Sequence, residues 1–393
     1  MKARLLRCGA NLKDKAKIRN EQIDEQLRLE RLELRRDLEV LLLGRTWLIR
    51  HVGPSGAGKS TIIKQMKLRR LGFSSDERES FKPFIFDNII QSIRTIIKEL
   101  IQWDLFPESE CLHLHAQVVL EQSSQHQWSL LPSGIGHAIQ TLWDDYHFQV
   151  SYNKWQEQQF GTPIPVYDVV NTLCKSYFNR VSQIASPNYT PDDQDILQLY
   201  VPTSGIHEAT IPPMDGYSYH YRINEVGRHL SEERKWLHYF ADVRAIFFVV
   251  PISEYDYPLL EGVRTSPLRE ALDNFLSICK SPWFCDKPIV LLFNKVDEFK
   301  RKLSSRPLRD YFPEYKDGSS FWEAARFIHH LFIPQTPDNM IYIHFTCALD
   351  TTCMRFVLAT VDGIFRSCLE RYQAANAHLE VVYPQYDFSW PRE

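Results

Sequence analysis

Two hydrophobic patterns divide the chain. Between residue 81 and about residue 180 the pattern is mostly helical, as at 84–100 and 167–181, with loops expected at 133–136 and 161–165. This region predicts an all-helical insert. From residue 217 onward, short apolar runs alternate with amphipathic stretches, which predicts a doubly wound, mostly parallel α/β sheet. The alternating segments are residues 243–251, 268–279, 288–293, 321–332, 340–345 and 355–372.

The N-terminal region predicts a long helix followed by a strand. Residues 11–39 are crowded with Lys, Arg, Glu, Gln and Leu and lack both Gly and Pro, which favours an exposed helix. This helix is a candidate arm for a partner protein, and a solvated helix without a partner is the alternative. Two apolar runs follow, 38–43 and 46–52, where the fold needs one strand. Either can be that strand, and residues 45–52 read as an insertion or as an error in the coding sequence.

Composition narrows the class of protein. A chain of 393 residues suggests two domains, and its net charge of −3 gives no reason to expect nucleic-acid binding. No apolar run approaches the 18 or so residues of a transmembrane helix. The eight cysteines are scattered without a CxxC pair, so a reduced intracellular protein is the simpler interpretation. Met1 is not followed by Gly, which excludes N-myristoylation by its own motif.

A glycine-rich loop provides the first candidate chemistry. The stretch Gly53-Pro-Ser-Gly-Ala-Gly-Lys-Ser-Thr61 matches G-x-x-x-x-G-K-S/T and precedes a helical pattern at 61–68. Glycines let such a loop turn its N–H groups around a phosphate at a helix N-terminus. Lys59 would reach the β and γ phosphates, and the Ser60 hydroxyl would hold Mg²⁺. The motif predicts a nucleoside triphosphate site without identifying the base.

Two further motifs identify the base as guanine. Residues 288–293 form an apolar run that leads into Asn294-Lys295-Val-Asp297. A carboxylate at Asp297 can accept from both the ring N–H and the exocyclic amine of guanine, whereas adenine offers no such pair of donors. Lys295 can lie along the base and tie its loop to the phosphate loop. After the next apolar run, Thr346-Cys347-Ala348-Leu-Asp350 places the Ala348 N–H where it could donate to the guanine carbonyl.

These motifs, in this order, resemble those of heterotrimeric G-protein α subunits over roughly residues 12–372. The resemblance implies a Ras-like GTPase domain at 38–73 and 198–372, interrupted by a helical domain at 74–197. It implies an N-terminal helix at 1–37 that binds a βγ dimer, and a last helix that contacts a seven-transmembrane receptor. The further matching segments are Gly58-Lys-Ser-Thr-Ile-Ile-Lys-Gln-Met66, Tyr189-Thr-Pro-Asp-Asp-Gln-Asp-Ile-Leu197, Arg234-Lys-Trp-Leu-His238, Phe293-Asn-Lys-Val-Asp297 and His344-Phe-Thr-Cys-Ala-Leu-Asp350.

The resemblance also marks departures at the catalytic positions. Thr203 keeps the place of a second Mg²⁺ ligand, and Glu225 stands where the family has an aspartate that holds Mg²⁺ through water. Tyr200 occupies the place of the arginine that steadies the transition state, and His229 that of the glutamine that orients the attacking water. Arg228 replaces a glycine and either lends its charge to the γ-phosphate or obstructs the approach. Slow hydrolysis is therefore expected.

The remaining expectations follow from the same resemblance. It implies a signalling GTPase with GDP or GTP and Mg²⁺, an effector that stays unnamed, and a location at the inner face of the plasma membrane. Cys8 is a candidate lipid anchor or an unmodified thiol, and residues 373–393 form a tail. A pseudo-GTPase, a P-loop kinase and a degenerate relative are the alternatives. The expected nucleotide-binding residues are Gly53, Gly56, Ala57, Gly58, Lys59, Ser60, Thr61, Asp145, Leu197, Thr203, Gly227, Asn294, Lys295, Asp297, Cys347 and Ala348.

Overall fold

The computed structural model describes most of the sheet, the helical insert and the last helix. Several predictions lie outside the described residues: the arm at 1–37 apart from residue 19, the run at 46–52, Gly53, the loop at 161–165, and Gly227, Arg228 and His229. The described residues are 19, 38–44, 56–122, 128–158, 175–201, 203, 205–212, 220–226, 243–256, 266–284, 287–316, 318, 320–333 and 340–375.

Six strands within the described residues form one mixed sheet in the order β2-β3-β1-β4-β5-β6. β2 pairs antiparallel with β3, and every other pair is parallel. All residues of β4 and β5 are buried, as expected for central parallel strands covered on both faces. The strands are β1 (Leu38–Gly44), β2 (Ile206–Ile211), β3 (Tyr221–Val226), β4 (Ala245–Pro251), β5 (Ile289–Asn294) and β6 (Ile341–Phe345).

Helices follow the predicted alternation through the second half of the chain. Those predicted at 268–279, 321–332 and 355–372 are confirmed within a few residues. The described helices are α1 (Lys59–Arg70), α2 (Ser75–Gln102), α3 (Glu110–Leu120), α4 (Ser133–Asp144), α5 (Tyr146–Gln158), α6 (Val181–Ile184), α7 (Asp193–Gln198), α8 (Pro267–Cys279), α9 (Val296–Leu303), α10 (Phe321–Phe332) and α11 (Thr351–Ala375).

The first sheet strand is the earlier of the two candidate runs. Val40 pairs with Ala245 on one side and with Ile223 on the other, so β1 lies in the middle of the sheet. Its apolar residues are buried, as expected for a strand in the middle of a sheet. The helix predicted to reach Glu39 therefore extends two residues too far, because Leu38 and Glu39 already pair with β3.

The helical insert has its own hydrophobic core around α2. Ser74 and Glu77 form a capping box at the start of this helix. Buried isoleucines along α2 then pack against α3, α4 and α5, and the same cluster reaches Leu199 just beyond α7. These isoleucines are Ile85, Ile89, Ile90, Ile93, Ile96 and Ile97. The insert therefore buries apolar side chains without using the sheet.

The loop predicted at residues 133–136 is wrong, because α4 begins at Ser133. The glycine signal there reflects packing rather than a turn. A Cβ on Gly136 would lie 2.7 Å from the Cβ of Ala185, so only glycine allows the chain beyond α6 to approach this closely. A Cβ on Gly134, two residues earlier, would have no atom within 4 Å, so that position tolerates a side chain.

This pair of glycines gives a matched stability test. Gly136→Ala is expected to lower the free energy of unfolding by about 1–3 kcal/mol, because the methyl group overpacks the contact with Ala185. Gly134→Ala is expected to raise it by up to about 1 kcal/mol, because alanine favours the helix. Chemical denaturation of the two variants measures both values. Equal effects of the two substitutions would contradict this account of Gly136.

Two further predicted boundaries need correction. The helix predicted at 167–181 is interrupted, since a turn at Asn179 and Arg180 separates residues 175–178 from α6. Asn179 accepts a hydrogen bond from the Trp143 indole at 2.8 Å, which holds the turn. The first three residues of the predicted tail, 373–375, belong to α11, and the rest of the predicted tail lies outside the described residues. None of the described helices is both long and apolar enough to cross a bilayer.

Candidate nucleotide site

A cavity opens at the carboxyl ends of β1, β5 and β6, where ligands bind in open α/β sheets. The phosphate loop, the two predicted base-reading loops and the segment after α7 meet there. The structure thus brings together residues that lie up to about 290 positions apart. The predicted residues that line the cavity are Gly56, Gly58, Lys59, Ser60, Thr61, Leu197, Tyr200, Thr203, Asn294, Lys295, Asp297, Cys347 and Ala348.

Two of the predicted nucleotide-binding residues that the structure describes lie elsewhere. Ala57 is buried among apolar side chains behind the phosphate loop rather than facing the cavity. Asp145 precedes α5 and accepts a hydrogen bond from the backbone N–H of Phe148 at 2.9 Å. It is therefore a helix cap and does not line the cavity.

The phosphate loop depends on glycine at position 58. Gly58 has φ 94°, a left-handed conformation, and a Cβ there would lie 2.2 Å from Asn294 Nδ2. Lys59 follows as the first residue of α1, and its side chain is buried. Gly44, at the end of β1, lies next to this side chain: a Cβ there would be 3.3 Å from the Val249 carbonyl oxygen and 3.4 Å from Lys59 Nζ. The sequence motif does not include Gly44.

Asn294 links three loops of the site. Its Nδ2 donates to the carbonyl oxygen of Ala57 at 2.8 Å, in the phosphate loop. Its Oδ1 accepts from the Ala348 N–H at 2.9 Å and from the Thr346 hydroxyl at 3.2 Å. The Ala348 N–H expected to face a guanine carbonyl therefore donates to Asn294 here. Asn294 is buried, so losing these bonds would leave several polar groups unpaired.

The base-reading side chains lie around Asp297. Asp297 is exposed to the cavity, and the Cys347 thiol hydrogen-bonds to it. Burial, together with the neighbouring Asp297 carboxylate, raises the pKa of the Cys347 thiol to about 12. This thiol therefore stays protonated at neutral pH and is a poor nucleophile. Lys295 has φ 63° and lies 3.6 Å from the Glu254 carboxylate, with its Nζ 3.4 Å from the position of a Cβ on Gly56.

Three oxygen-bearing side chains from different segments meet at the start of α1. The Ser60 hydroxyl donates to Glu225 Oε1 at 2.7 Å and lies 3.4 Å from Thr203 Oγ1. Glu225 is buried near the end of β3. No group of three or more His, Cys, Asp or Glu side chains within the described residues could hold a metal ion. Any cation site here therefore relies on hydroxyl groups together with one carboxylate.

Hydrogen bonds hold the segment between α7 and Thr203 against α2 of the helical insert and against α1. The side-chain amide of Asn88 in α2 donates to the Tyr200 carbonyl oxygen at 2.9 Å and accepts from the Tyr200 N–H at 3.0 Å. Lys64 of α1 donates to the carbonyl oxygen of Leu199 at 2.6 Å, and burial lowers the pKa of Lys64 to about 8 against the attraction of Glu225. Neither Asn88 nor Lys64 was predicted, because their partners are backbone atoms more than 100 residues away.

The fold and these loops define a P-loop nucleotide-binding protein with a guanine-type base site and an inserted helical unit. A family model described as G-protein alpha subunit matches residues 17–365. The chain belongs to this family. It is a heterotrimeric G-protein α subunit, a GTP-binding signal transducer with a Ras-like sheet and a helical domain.

Fungal relatives are similar along almost the whole chain. A guanine nucleotide-binding protein subunit alpha of Sporothrix schenckii is 40% identical over 361 residues, which covers 91% of this chain and 96% of the relative. The corresponding protein of Pyricularia oryzae is 41% identical with the same coverage. The alpha-1 subunit of Neurospora crassa is 40% identical, again over 91% of this chain and 96% of the relative.

Proposed function

We propose that this α subunit is a magnesium-dependent guanine-nucleotide switch with slow GTP hydrolysis. The observation that carries the metal assignment is the meeting of Ser60, Thr203 and Glu225. Hydroxyl and carboxylate oxygens are the ligands that Mg²⁺ prefers, and the ion keeps several waters in such sites. Ser60 and Thr203 would bind it directly and Glu225 through water. When bound, it supplies positive charge to the β and γ phosphates.

The remaining roles divide between phosphate and base. Lys59 and the N–H groups of the loop from Gly53 to Thr61 hold the phosphates at the N-terminus of α1. Leu197 and Cys347 line the cavity, where they would contact the nucleoside, and Gly227 would act on the phosphates. Asp297 accepts from guanine, Lys295 lies along the base, and Asn294 keeps the base loop against the phosphate loop. The Ala348 N–H would donate to the guanine carbonyl after giving up its hydrogen bond to Asn294 Oδ1.

Slow hydrolysis follows from the chemistry at Tyr200 and His229. Tyr200 lines the cavity, where a phenol offers no positive charge to the transferring phosphoryl group. A neutral histidine at position 229 carries its donor and its acceptor on separate ring nitrogens that point in different directions, whereas the amide of glutamine presents both side by side. Arg228, directly before His229 in the sequence, is the candidate substitute for the missing charge. The second candidate function, a pseudo-GTPase that binds without useful hydrolysis, is favoured by the same tyrosine.

Competition binding and single-turnover hydrolysis with GTP and ATP test this proposal on the purified chain. We expect GTP and GDP to bind at least about 100-fold more tightly than ATP, because adenine leaves Asp297 without its two donors. Chelating Mg²⁺ with EDTA should weaken GTP binding and abolish hydrolysis. Equal affinity for the two triphosphates would refute guanine recognition. Hydrolysis no faster than in buffer would select the pseudo-GTPase.

The partners and location are proposed from the family. Residues 1–37 would bind a βγ dimer, α11 would face a seven-transmembrane receptor, and the protein would sit at the inner face of the plasma membrane. The separate hydrophobic clusters of the insert and the sheet support a division into two domains, although the insert's cluster extends to Leu199, two residues beyond the proposed boundary at 197/198. The effector stays unidentified, and nothing in the net charge favours nucleic acid as a partner.

Deleting residues 1–37 is expected to abolish co-purification with a βγ dimer and to leave GDP affinity within about twofold of the full chain. The reason is that β1 starts at Leu38, so the deletion removes no strand of the described sheet. Pull-down with a tagged βγ dimer and a GDP titration measure the two properties. Normal co-purification of the shortened chain would contradict the assignment of the arm.

A further inference from the structure

A second cavity, of about 200 Å³, lies between α1, α7 and α11 and shares no lining residue with the nucleotide cavity. An apolar cavity of about 150 Å³ accommodates benzene, so this one has room for a small organic molecule. Polar side chains provide most of its lining, together with two leucines. The cavity therefore suits a small ligand that is mainly polar and partly apolar.

Two of the helices each present one face to this cavity. α11 contributes Thr351, Arg355 and Leu358, whose spacing of four and then three residues places them on one side of the helix. α1 contributes Gln65 and Leu68, three residues apart, and the arginine that follows them. Leu68 and Leu358 provide apolar contacts, whereas the other side chains provide hydrogen-bonding groups and charge.

Gln65 and Thr351 bring an unused acceptor and an unused donor to this cavity. Gln65 Nε2 donates to the Ala348 carbonyl oxygen at 2.8 Å, which fixes the orientation of the amide. Gln65 is only 2% exposed, and its Oε1 accepts no hydrogen bond from any described residue. This oxygen is not sealed from solvent, so it opens into the cavity. The Thr351 hydroxyl accepts from Gln65 Nε2 at 3.4 Å and donates to none of the described residues.

The charges around this cavity are balanced except at Arg355. Arg69 is paired with Asp362 at 2.8 Å, and one oxygen of the Asp193 carboxylate is paired with Arg78. Arg355 is exposed and makes no ion pair or hydrogen bond with any described residue. A carboxylate that enters the cavity beside Arg355 would therefore gain charge-assisted hydrogen bonds from a guanidinium. Asp193 Oδ2 is open to a donor, since the bond from Arg78 uses Oδ1.

We propose that this cavity binds a free α-amino acid with a short apolar side chain. Arg355 and the Thr351 hydroxyl bind its carboxylate, and Gln65 Oε1 and Asp193 Oδ2 bind its ammonium group. Because the Gln65 amide and the Thr351 hydroxyl touch each other, the ligand must carry its donor and its acceptor close together. An α-amino acid does so, since one carbon atom bears both groups. This inference is independent of the nucleotide site.

Equilibrium dialysis of the full chain with radiolabelled L-alanine, L-valine and L-leucine tests the proposal. We expect saturable binding of at least one of them with a dissociation constant of about 1 mM or lower. Two unlabelled competitors then separate the two ends of the ligand. Isovalerate keeps the carbon skeleton and carboxylate of valine without the ammonium group, and L-valinamide keeps the ammonium group without the carboxylate. Each should bind at least about 10-fold more weakly than L-valine, because each leaves charged groups of the cavity unpaired.

Substitutions on α11 locate the bound amino acid. Arg355→Gln is expected to weaken binding at least about 10-fold, and Thr351→Val about 2- to 10-fold. Arg366→Gln is the matched control, because it removes an arginine of the same helix that pairs with Glu370 at the surface and does not line the cavity. Its affinity for the amino acid should stay within about twofold of wild type. Circular dichroism during thermal unfolding shows whether each variant is folded.

Three results would overturn the proposal. The first is a wild-type chain that binds none of the three amino acids in a saturable way. The second is isovalerate or L-valinamide competing as well as L-valine, because the cavity would then recognise only one of the two charged groups. The third is an equal loss of binding in Arg355→Gln and Arg366→Gln. If Arg355→Gln does not fold, Thr351→Val is compared with Arg366→Gln in its place.

Discussion

Single-turnover GTP hydrolysis is expected to become at least about 100-fold faster when Tyr200 is replaced by arginine and His229 by glutamine. An arginine at the γ-phosphate is worth roughly 10³–10⁵ in rate across this class of enzyme. We expect a smaller rate increase than that here, because Arg228 remains next to the introduced glutamine in the sequence. The rate is measured by phosphate release after mixing the GTP-loaded protein with Mg²⁺.

The structure explains why an arginine at position 200 should act where it is needed. The backbone of Tyr200 is bonded to Asn88 through both its N–H and its carbonyl oxygen. The preceding carbonyl, of Leu199, is held by Lys64. The side chain therefore starts from a fixed point on the cavity wall, and a catalytic group gains most when its position is fixed in advance. The repair changes the chemistry of the group without having to move the segment.

Val201→Arg combined with His229→Gln is the matched control. Val201 also lines the cavity and is 44% exposed, so it accepts the same charge one residue further along. This control should gain less than about tenfold, since the direction from which the charge approaches differs. A repaired rate no higher than that of wild type would refute slow hydrolysis through Tyr200 and His229. A repaired rate no higher than that of the Val201→Arg control would refute the specific position.

Arg228 can either speed or slow hydrolysis, and the substitution Arg228→Gly separates these two effects. If its guanidinium already serves the γ-phosphate, Arg228→Gly in the wild-type background lowers the hydrolysis rate. If it obstructs the approach, the same substitution raises the rate, and it raises the rate further in the repaired protein. Both outcomes are read from the same phosphate-release assay.

The sheet and most helices could be predicted because their patterns are local. β4 and β5 are continuous apolar runs, and the bounds of α10 match the predicted ones to the residue, since its amphipathic period is clear in the sequence. β2 and β3 escape prediction because neither has a continuous hydrophobic signal. β2 is an edge strand with exposed His207 and Glu208, and the apolar residues of β3 alternate with Arg222 and Asn224. The glycines of α4 mislead for a related reason, because the role of Gly136 depends on Ala185, which is distant in sequence.

The site could be predicted only as far as its motifs extend. The phosphate loop and the base loops are contiguous sequence, and most of their predicted residues lie around one cavity. Contacts between segments that are distant in the sequence could not be predicted. The hydrogen bond from Arg69 to Asp362 spans 293 positions, and that from Asn88 to Tyr200 spans 112. An arginine at a helix end or an asparagine on a helical face gives no sign of its partner until the chain is folded.

Asp297→Asn is expected to weaken GDP binding by about 1.5–3 kcal/mol, or roughly 10- to 150-fold, because two hydrogen bonds from guanine lose their charged acceptor. An asparagine can still accept from one guanine N–H, but its NH₂ group faces the other donor. Guanine should therefore lose affinity while xanthine, which presents a carbonyl in place of the exocyclic amine, should gain it. Competition of labelled GDP with unlabelled GDP and XDP measures both changes.

A substitution at the neighbouring Glu298 distinguishes recognition of guanine by Asp297 from a general effect of negative charge in the cavity. Glu298 lines the same cavity, so Glu298→Gln removes the same charge from the same region without touching the proposed acceptor. We expect that variant to bind GDP within about threefold of wild type and to keep its preference over XDP. If Glu298→Gln weakens GDP binding as much as Asp297→Asn does, then the cavity responds to its net charge. Only a loss of GDP affinity confined to Asp297→Asn, with a gain for XDP, follows from a carboxylate that accepts both guanine donors.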